Sequence, residues 1–391
     1  MNIELKSEIL NDRYTEYVYQ HFDIQNTEET NVSIPMNLDG LNSFDWNIGI
    51  IYGGSGSGKS SIINHLGGVR EVIFDKDKPL ISNFNWMEPE EATRVLTSIG
   101  LSSVPTWLRP YRLLSNGEQY RAMLAFLVAS AKDGETILID EYTSVVDRDV
   151  AKAMSFALQK YIRRENKKII LASCHFDIME WLMPDWTYSP MKGGGIEKPD
   201  YLRQGRPEIT LSISRVEAEA WNFFKKHHYL TEEANRTYIY LLFEWNDKPV
   251  AINVIGRHLG TTGGVPGYRG SRVVVHPDYQ GMGIGSKISE FSAGIIKNRG
   301  GRYYTKTINP ALGEYRNKNT HIWKPTPFNG KLRVNDNEHS DIYKTIKQRA
   351  SYCHEYIGEG IDGFDELLKP VEELRGLKRI NNEVINKFFS F

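Results

Sequence analysis

The sequence is poor in cysteine, in long apolar runs and in net charge, and each shortage excludes a class of protein. Only two cysteines, Cys174 and Cys353, occur in 391 residues, which excludes a disulfide framework and a zinc site built mainly of thiolates. We find neither an apolar run long enough to cross a bilayer nor a secretory signal at the N-terminus. The formal net charge is -1, so any nucleic-acid surface has to be local. These shortages predict a cytoplasmic protein without a membrane partner.

The composition that remains is that of a soluble globular chain, with 40% hydrophobic and 25% charged residues. Its length allows two or three domains of about 100–200 residues each. The stretch 184–207 contains four prolines and three consecutive glycines, which is typical of a domain junction. We therefore predict domains at 1–205 and 206–345, followed by a helical C-terminal extension at 346–391.

A glycine-rich loop with the sequence GGSGSGKS occupies residues 53–60. It follows a β-branched run at 46–52 that predicts a buried strand, and a helix is predicted from residue 61. In such a loop the glycines let backbone N–H groups turn toward phosphates, the lysine reaches the β- and γ-phosphates, and the last hydroxyl binds Mg²⁺. The pattern can arise by chance, but its context favours ATP binding. The predicted ATP-binding residues are Gly53, Gly56, Gly58, Lys59, Ser60 and Ser61.

A second acidic element supports nucleotide hydrolysis. The apolar strand predicted at 136–139 ends in Asp140 and Glu141. Asp140 would complete the Mg²⁺ shell together with Ser60, and Glu141 would polarise the attacking water. A buried strand that ends in solvated acids is the alternative, and the P-loop beside it favours the catalytic interpretation.

Further motifs resemble those of the ABC-type ATPases over about the first 200 residues. The sequence LSNGE at 114–118 is similar to the LSGGQ signature, SVVD at 144–147 resembles the D-loop, and His175 follows a strand as the family's switch histidine does. The resemblance implies ATP bound in a head-to-tail homodimer, with Ser115 and Gly117 of one subunit capping the γ-phosphate held by the other. No glutamine lies between Ser60 and Glu118, so the Q-loop residue is missing and a non-transporter branch is expected.

The second half of the chain predicts strands and helices in alternation. Strands are predicted at 208–213, 238–245, 249–255, 271–276 and 302–308, and helices at 216–228 and 286–296. The sequence QGMGIG at 280–285 lies between a strand and a helix. Such a turn presents backbone N–H groups and a helix N-terminus to a pyrophosphate. A dinucleotide-binding turn is the rival, but it requires an acidic residue about 20 positions later, and Gly300-Gly301-Arg302 stands near that place.

This arrangement resembles the GNAT acyltransferases over about residues 208–345. Their Q/R-x-x-G-x-G/A motif matches Gln280, Gly283 and Gly285, with Gly281 in the same turn. The resemblance implies binding of acetyl-CoA or another acyl-CoA and direct transfer to a nucleophile in a cleft between splayed strands. It also implies that Asn309 contacts the cofactor and that Tyr315 protonates the leaving thiolate. An ordinary strand-end asparagine and a packed tyrosine remain alternatives. The predicted fold class is thus α/β, an ABC ATPase domain followed by a GNAT domain with a mixed sheet.

The acceptor is less well defined by the sequence. The pair His228-Tyr229 is similar to one in phage Mom-type enzymes, which modify adenine in DNA, and there the pair would lie by the acceptor base as catalytic residues. An amphipathic helix end is the alternative interpretation. Basic and aromatic residues between 299 and 324 suit a nucleic-acid groove, or else a solvated surface with core aromatics.

Three functions follow from these motifs. The preferred one is an ATP-hydrolysing N-acyltransferase that modifies a nucleic-acid base, where ATP-driven dimerisation helps to expose the base. The second keeps the enzyme and changes the acceptor to an amine of a protein or a small molecule. The third is an ATP-switched nucleic-acid-binding protein whose GNAT fold does not catalyse transfer.

Overall fold

The structure is a computed structural model that describes residues 1–22, 29–200, 207–228, 235–258, 264–331 and 351–369. The chain forms two compact units, and each is made of two separate stretches. The first unit contains Met1–Ile73 and Met123–Gly205, and the second contains Phe74–Ala122 and Arg206–Phe391. Residues 74–122, which lie inside the first predicted domain, thus group with the second half of the chain. The domain boundaries taken from the sequence remain predictions.

The first unit is built on a parallel sheet of four short, buried strands. Its strand order is β4-β5-β3-β6, and every neighbouring pair is parallel. The strands are β3 (Ile48–Tyr52), β4 (Thr136–Ile139), β5 (Lys168–Ser173) and β6 (Trp186–Tyr188). Near-continuous Ile, Leu and aromatic residues are expected where both faces of a parallel sheet are covered. The carboxyl ends of β3, β4 and β5 all lie at the same edge of the sheet.

Helices and a hairpin complete the first unit. The antiparallel hairpin pairs β1 (Asn2–Glu8) with β2 (Glu29–Pro35). The helices are α1 (Arg13–Phe22), α2 (Lys59–His65), α6 (Arg148–Arg164) and α7 (Met179–Leu182). Asp147 caps α6 by accepting hydrogen bonds from the backbone N–H groups of the first turn. A cluster that includes Ile51, Ile62, Leu138 and Trp186 forms part of the core.

The second unit begins with the short helices of residues 74–122. They are the 3₁₀ helix Leu80–Phe84, α3 (Pro89–Ser98), α4 (Val104–Leu108), the 3₁₀ helix Tyr111–Leu113 and the start of α5 (Asn116–Ser130). The aromatic rings of Phe74 and Tyr111 stack at 4.4 Å between their centroids.

A seven-stranded mixed sheet forms the rest of the second unit. Its order is β12-β13-β11-β10-β9-β8-β7, and only β10 and β11 are parallel neighbours. The strands are β7 (Ser212–Val216), β8 (Ile239–Trp245), β9 (Lys248–His258), β10 (Gly267–Val275), β11 (Arg302–Thr307), β12 (Trp323–Pro325) and β13 (Tyr352–Tyr356). The predicted α/β class with a mixed second sheet is confirmed.

Helices cover this sheet. They are α8 (Trp221–Phe224), α9 (Ile284–Asn298) and α10 (Pro310–Lys318), with 3₁₀ turns at Ala218–Ala220, Lys225–His227, Pro277–Tyr279 and Asp365–Leu368. Trp221 and Phe224 pack with Ile252 and Val254 of β9 in one cluster. In α9 the ring of Phe291 makes an edge contact with Phe243 of β8 at 6.1 Å.

Three predicted elements differ from the structure. The strand predicted at 208–213 pairs only from Ser212, and it continues to Val216, which lies opposite Tyr240. Val216 belongs to β7, and in place of the helix predicted at 216–228 the chain forms a 3₁₀ turn, the one-turn helix α8 and a second 3₁₀ turn. In the extension predicted as helical, Tyr352–Tyr356 forms a strand that pairs with β11.

Within the described ranges, no helix combines the length and the apolar character that a membrane span requires.

Candidate nucleotide and acyl-CoA sites

The P-loop turns from β3 into α2 with glycines in the left-handed region. Gly56 has φ 76° and Gly58, which caps the N-terminus of α2, has φ 88°. The Lys59 ammonium donates to the carbonyl oxygens of Gly53 at 2.8 Å and Gly54 at 2.7 Å. The loop therefore closes around its own lysine, with the backbone N–H groups of the first turn of α2 at its mouth.

The hairpin strand β2 packs against this loop. A Cβ added at Gly58 would lie 2.5 Å from Cγ2 of Ile34, so a side chain is excluded there by space as well as by φ. A cavity of about 370 Å³ lies between the hairpin and the loop, and Leu5, Val32 and Ser60 are among its lining residues. It is partly apolar and ends at the predicted phosphate-binding residues.

Asp140 and Glu141 follow β4, at the sheet edge where β3 gives rise to the P-loop. The Asp140 carboxylate accepts a hydrogen bond from the backbone N–H of Glu141 at 2.8 Å. Glu141 is exposed and has φ 49°, and the buried Thr143 has φ 70°. A β-branched residue at positive φ is strained, and such strain is concentrated at functional sites. The turn thus holds Glu141 and Thr143 at backbone angles that residues with a side chain rarely adopt.

His175 lies at the end of β5, and one hydroxyl links its loop to the acidic turn. The buried Ser173 donates to the carbonyl of Tyr142 at 3.0 Å and accepts from the backbone N–H of His175 at 3.0 Å. Tyr142 directly follows Asp140 and Glu141 in the chain. The Ser173 hydroxyl therefore connects the backbone of this acidic turn to the backbone of His175. No sequence signal pointed to Ser173.

The signature segment forms a capping box at the start of α5. The backbone N–H of Ser115 donates to Glu118 Oε2 at 2.9 Å, and the N–H of Glu118 donates to the Ser115 hydroxyl at 3.3 Å. Glu118 also accepts from Arg109 at 2.7 Å and from Thr106 at 3.1 Å. Burial alone would raise the pKa of Glu118, but the Ser115 N–H, Arg109 and Thr106 together hold it below its usual value. The Ser115 hydroxyl accepts in this box and retains its own proton to donate.

The glycine turn at 280–285 is anchored by two apolar side chains. Gly281 has φ 90° and Gly283, which caps α9, has φ 85°. Between and after them, Met282 and Ile284 are each 1% exposed. The turn therefore alternates left-handed glycines with buried apolar side chains. The buried side chains hold the turn in place, so that the N-terminus of a 15-residue helix lies at the surface.

The Gln280 side chain anchors the turn through hydrogen bonds of its amide group. Its Oε1 accepts from the backbone N–H of Ser102 at 2.8 Å and from the Ser102 hydroxyl at 2.6 Å, and its Nε2 donates to the Val275 carbonyl at 2.9 Å. The sequence assigned this side chain to the cofactor, and the geometry gives it a positioning contact within the protein. Ser102 had no signal in the sequence.

The strands β10 and β11 separate beside this turn. They pair only from Gly267 with Arg302 to Gly270 with Thr305, and a bulge against β9 follows between Gly270 and Arg272. Beyond that point β10 continues to Val275 without pairing to β11. An acyl-CoA would be expected to place its pantetheine arm between the parting strands and its pyrophosphate at the helix N-terminus next to them.

Asn309 and Tyr315 follow β11, the other of the two parted strands. Asn309 directly precedes α10, and Tyr315 lies within it. Asn309 is the N-cap of α10, and its Oδ1 accepts from Leu312 N–H at 3.3 Å. The Tyr315 hydroxyl donates to Glu290 Oε1 at 2.6 Å. Burial first, and then Glu290, raise the pKa of Tyr315. The contacts account for both side chains structurally, and the predicted roles toward the cofactor stay predictions.

The pair His228-Tyr229 is only half described, since Tyr229 lies outside the described residues. His228 is 8% exposed, and its ring makes an edge contact with Trp221 at 5.7 Å. The neighbouring His227 faces His276 with 4.9 Å between ring centroids. Burial and His276 lower the pKa of His227 to about 4. The sequence analysis selected His228, whose ring packs in the core, and did not select His227.

The predicted basic and aromatic surface divides into two parts. Tyr303, Arg316 and Trp323 are at most 2% exposed and belong to the core, which corrects the prediction for them. Arg302 pairs with Glu355 at 2.7 Å, and Arg299 lies 3.5 Å from Asp365. Arg299, Lys306, Lys318 and Lys324 are exposed, and Tyr304 is half-buried.

Residues 177–316 match the sequence profile of the Acetyltransferase (GNAT) family. This stretch of the chain is therefore similar in sequence to the GNAT acetyltransferases. The match ends at Arg316, inside α10, and includes the glycine turn and the parted strands. No curated protein sequence matches the chain.

The solved structures that are similar to the chain include ATP-binding cassettes and an N-acetyltransferase. MJ1267, an ATP-binding cassette of an ABC transporter in its ADP conformation, has a TM-score of 0.29 at 15% identity, covering 50% of this chain and 90% of that one. CbiO1 from Clostridium perfringens, part of the ABC transporter complex CbiONQ, has a TM-score of 0.30 at 17% identity, covering 44% and 79%. The ribosomal-protein-S18-alanine N-acetyltransferase from Escherichia coli has a TM-score of 0.28 at 16% identity, covering 39% and 97%. Likeness at these scores carries no conclusion about activity, and none of it supports the Mom-type branch.

Proposed function

We propose that the chain is an acyl-CoA-dependent N-acyltransferase that also binds and hydrolyses ATP. The observation that carries the transferase half is the glycine turn at the N-terminus of α9, beside strands that part after Gly270 and Thr305. Left-handed Gly281 and Gly283 leave room for a pyrophosphate, and the helix N-terminus supplies N–H donors and a favourable dipole. The family match over 177–316 supports the same assignment.

Transfer joins the acceptor nitrogen to the acyl carbon and breaks the carbon–sulfur bond. The amine loses a proton to a base, and the departing thiolate takes one up. Tyr315 is the proposed donor to that thiolate. A phenol is protonated at neutral pH, and burial and Glu290 raise the pKa of this one further. The hydroxyl donates its proton to Glu290 Oε1, so donation to the thiolate requires the hydroxyl to turn away from that carboxylate. Asn309 is proposed to contact the cofactor arm from the N-cap of α10.

The nucleotide half rests on the groups at one edge of the parallel sheet. Lys59 and the P-loop glycines would hold the phosphates, with Ser60 and Asp140 as ligands of Mg²⁺. Glu141 would orient the attacking water, and His175 would contact the γ-phosphate. Ser115 and Gly117 would act on ATP held by a second copy, so a homodimer in the presence of ATP is part of the proposal.

A nucleic-acid base is the proposed acceptor. Arg269, Tyr304 and Lys324 share one face of the mixed sheet, because Arg269 lies opposite Tyr304, Tyr304 opposite Glu355, and Glu355 opposite Lys324. Arg269 and Lys324 are exposed, and His258 lies 5.0 Å from the Tyr304 ring. Basic side chains around an aromatic ring suit a phosphate backbone and a stacked base.

Mass spectrometry of nucleosides tests the acceptor. DNA and tRNA from cells that express the wild type would carry a nucleoside that is missing from cells with Gly283→Asp, and its mass would give the transferred group. Gly283→Asn is the matched control, because asparagine has the same shape and also tolerates the left-handed region, but brings no charge to the pyrophosphate. Identical nucleoside profiles with wild type and Gly283→Asp would favour an amine of a protein or small molecule as the acceptor.

A further inference from the structure

The predicted ATPase signature and the acyl-CoA turn lie in the same compact unit, although 160 or more residues separate them in sequence. Residues 74–122 contain the signature at 114–118, and the turn at 280–285 belongs to the second stretch of that unit. Two sets of hydrogen bonds connect these segments, one from Arg121 and one from Ser102.

The Arg121 guanidinium connects the signature to the residues before the turn. Its side chain is 1% exposed. Nε donates to the carbonyl of Gly117, inside the signature, at 3.1 Å. On the other side Nη1 donates to the carbonyl of Pro277, and Nη2 donates to Asp278 Oδ1 at 2.9 Å. A planar guanidinium fixes the direction of all these bonds at once, which an ammonium does not.

Ser102 makes the second connection, directly to the first residue of the turn. Its backbone N–H and its hydroxyl both donate to Gln280 Oε1, at 2.8 and 2.6 Å. The other end of the Gln280 amide is bound to the Val275 carbonyl of β10. The turn is therefore held between its own strand and residues 74–122.

These contacts give a physical link between two ligand sites. A ligand that displaces Gly117 moves an acceptor of the Arg121 guanidinium, and the guanidinium in turn holds Pro277 and Asp278. A buried charged group with fixed partners does not give up one of them at low cost. The position of residues 277–280 thus depends on the position of the signature.

We propose that Arg121 and Ser102 position the acyl-CoA turn, so that nucleotide bound against the signature and acyl-CoA bound at 280–285 change each other's affinity. The inference rests on the proposed function, because it requires that both ligands bind. Thermodynamic reciprocity then requires the same factor in both directions. A purely structural role for the two residues would stabilise the unit and leave the two affinities independent.

Calorimetric titration of the full chain tests this link. Acetyl-CoA is titrated with and without a non-hydrolysable ATP analogue and Mg²⁺, and the analogue is titrated with and without acetyl-CoA. In the wild type we expect each ligand to change the affinity of the other by the same factor, within the range of about 5–150-fold that is typical of coupled sites. Ser102→Ala and Asp278→Asn should each bring this factor toward 1.

Arg112→Gln is the matched control. Arg112 lies in the same segment and pairs with Asp77 at 2.8 Å on the exposed surface, so its loss should leave the factor unchanged. Circular dichroism of each variant would check that it is folded. Ser102→Ala is the milder change, because the backbone N–H of residue 102 would still donate to Gln280.

The outcomes separate the two proposals. A wild type that does not bind acetyl-CoA under either condition would remove the proposed function and this inference together. Binding of both ligands with a factor of 1 would overturn the inference alone. A factor that survives in both Ser102→Ala and Asp278→Asn would overturn the assignment to these contacts.

Discussion

The hydroxyl of Tyr315 donates to Oε1 of Glu290 at 2.6 Å, from α10 to the middle of α9. Glu290 is 5% exposed, and its second oxygen lies 3.2 Å from the Lys287 ammonium. Burial first, and then Glu290, raise the pKa of the Tyr315 phenol above its usual value, so the phenol carries its proton at neutral pH and well above it.

Tyr315→Phe removes the proposed proton donor and keeps the ring. We expect kcat to fall by about 10²–10⁴-fold, the usual contribution of a positioned acid, with little change in the KM for acyl-CoA. Steady-state kinetics measures both constants. Tyr352→Phe is the control. Tyr352 belongs to β13 and packs against Gly313 of α10, the helix that carries Tyr315, and it has no proposed role in transfer. A kcat for Tyr315→Phe within twofold of the wild type would remove Tyr315 from the mechanism.

Gly283→Asp should weaken binding of acyl-CoA at the glycine turn. The new carboxylate would lie beside the pyrophosphate, at a left-handed position that disfavours a side chain. We expect at least about a tenfold loss of affinity, which corresponds to about 1.4 kcal/mol. Gly283→Asn should lose less, since it carries the same strain without the charge, and equal losses in the two variants would argue against an anionic ligand.

Lys59→Ala should abolish ATP turnover, measured as phosphate release. The lysine is the cation at the centre of the P-loop, where it bonds the carbonyls of Gly53 and Gly54. Lys132→Ala, at an exposed position of the same unit, provides the comparison. Glu141→Gln should bind ATP and lose about 10²–10⁴ in turnover, because the amide cannot act as a base. Normal hydrolysis in Lys59→Ala would show that the loop does not hold the nucleotide.

We expect His354 to make the stability of the second unit depend on pH. It is fully buried, its Nε2 lies 2.8 Å from Asn317 Oδ1 and therefore donates, and Nδ1 has no partner among the described residues. Burial first, and then Arg316, lower its pKa from 6.5 to about 4. Between pH 4 and pH 6.5 this histidine binds a proton in the unfolded chain but not in the folded chain. The free energy of unfolding therefore falls as the pH decreases from 6.5 to 4.

Thermal unfolding at pH 7, 6, 5 and 4 measures this dependence. His354 contributes at most about 1.4 kcal/mol per pH unit to the free energy of unfolding in that window. His354→Gln should reduce the fall in melting temperature, whereas a substitution of the exposed His321 should not. The same slope in His354→Gln and the wild type would mean that other groups cause the acid sensitivity.

Local motifs allowed the strands, turns and helices around both candidate sites to be predicted from the sequence, whereas the roles of the site residues stay predictions. The strand, loop and helix around Lys59, the carboxylates after β4 and the glycine turn before α9 all lie where expected, because each depends on neighbours in the chain. The strand at 208–213 was misplaced for a physical reason. Ile209, Leu211 and Ile213 are all buried, but pairing with β8 begins only at Ser212. Alternation in a sequence shows which side chains are buried and not where the neighbouring strand lies.

Contacts between distant parts of the chain could not be predicted in this way. Arg316 was assigned to a basic surface, and it is instead 2% exposed with its guanidinium 4.7 Å from the Trp323 ring. Arg121 lies just after the signature, but its partners Pro277 and Asp278 are more than 150 residues away in the sequence. A buried arginine cannot be distinguished from a surface one until its acceptors are known.

The interleaved path of the chain affects how the protein can be made and divided. Because residues 74–122 interrupt the first unit and belong to the second, a cut at residue 205 frees neither unit intact. A fragment that ends there would expose the face on which Arg121 meets Asp278, a buried cation without its carboxylate. During synthesis Arg121 cannot bind Pro277 and Asp278 until the ribosome has passed well beyond β10. Folding of residues 74–122 therefore cannot be completed before the second half of the chain has been made. Fragments that follow the linear halves should therefore aggregate, and co-expression of the two halves should rescue them.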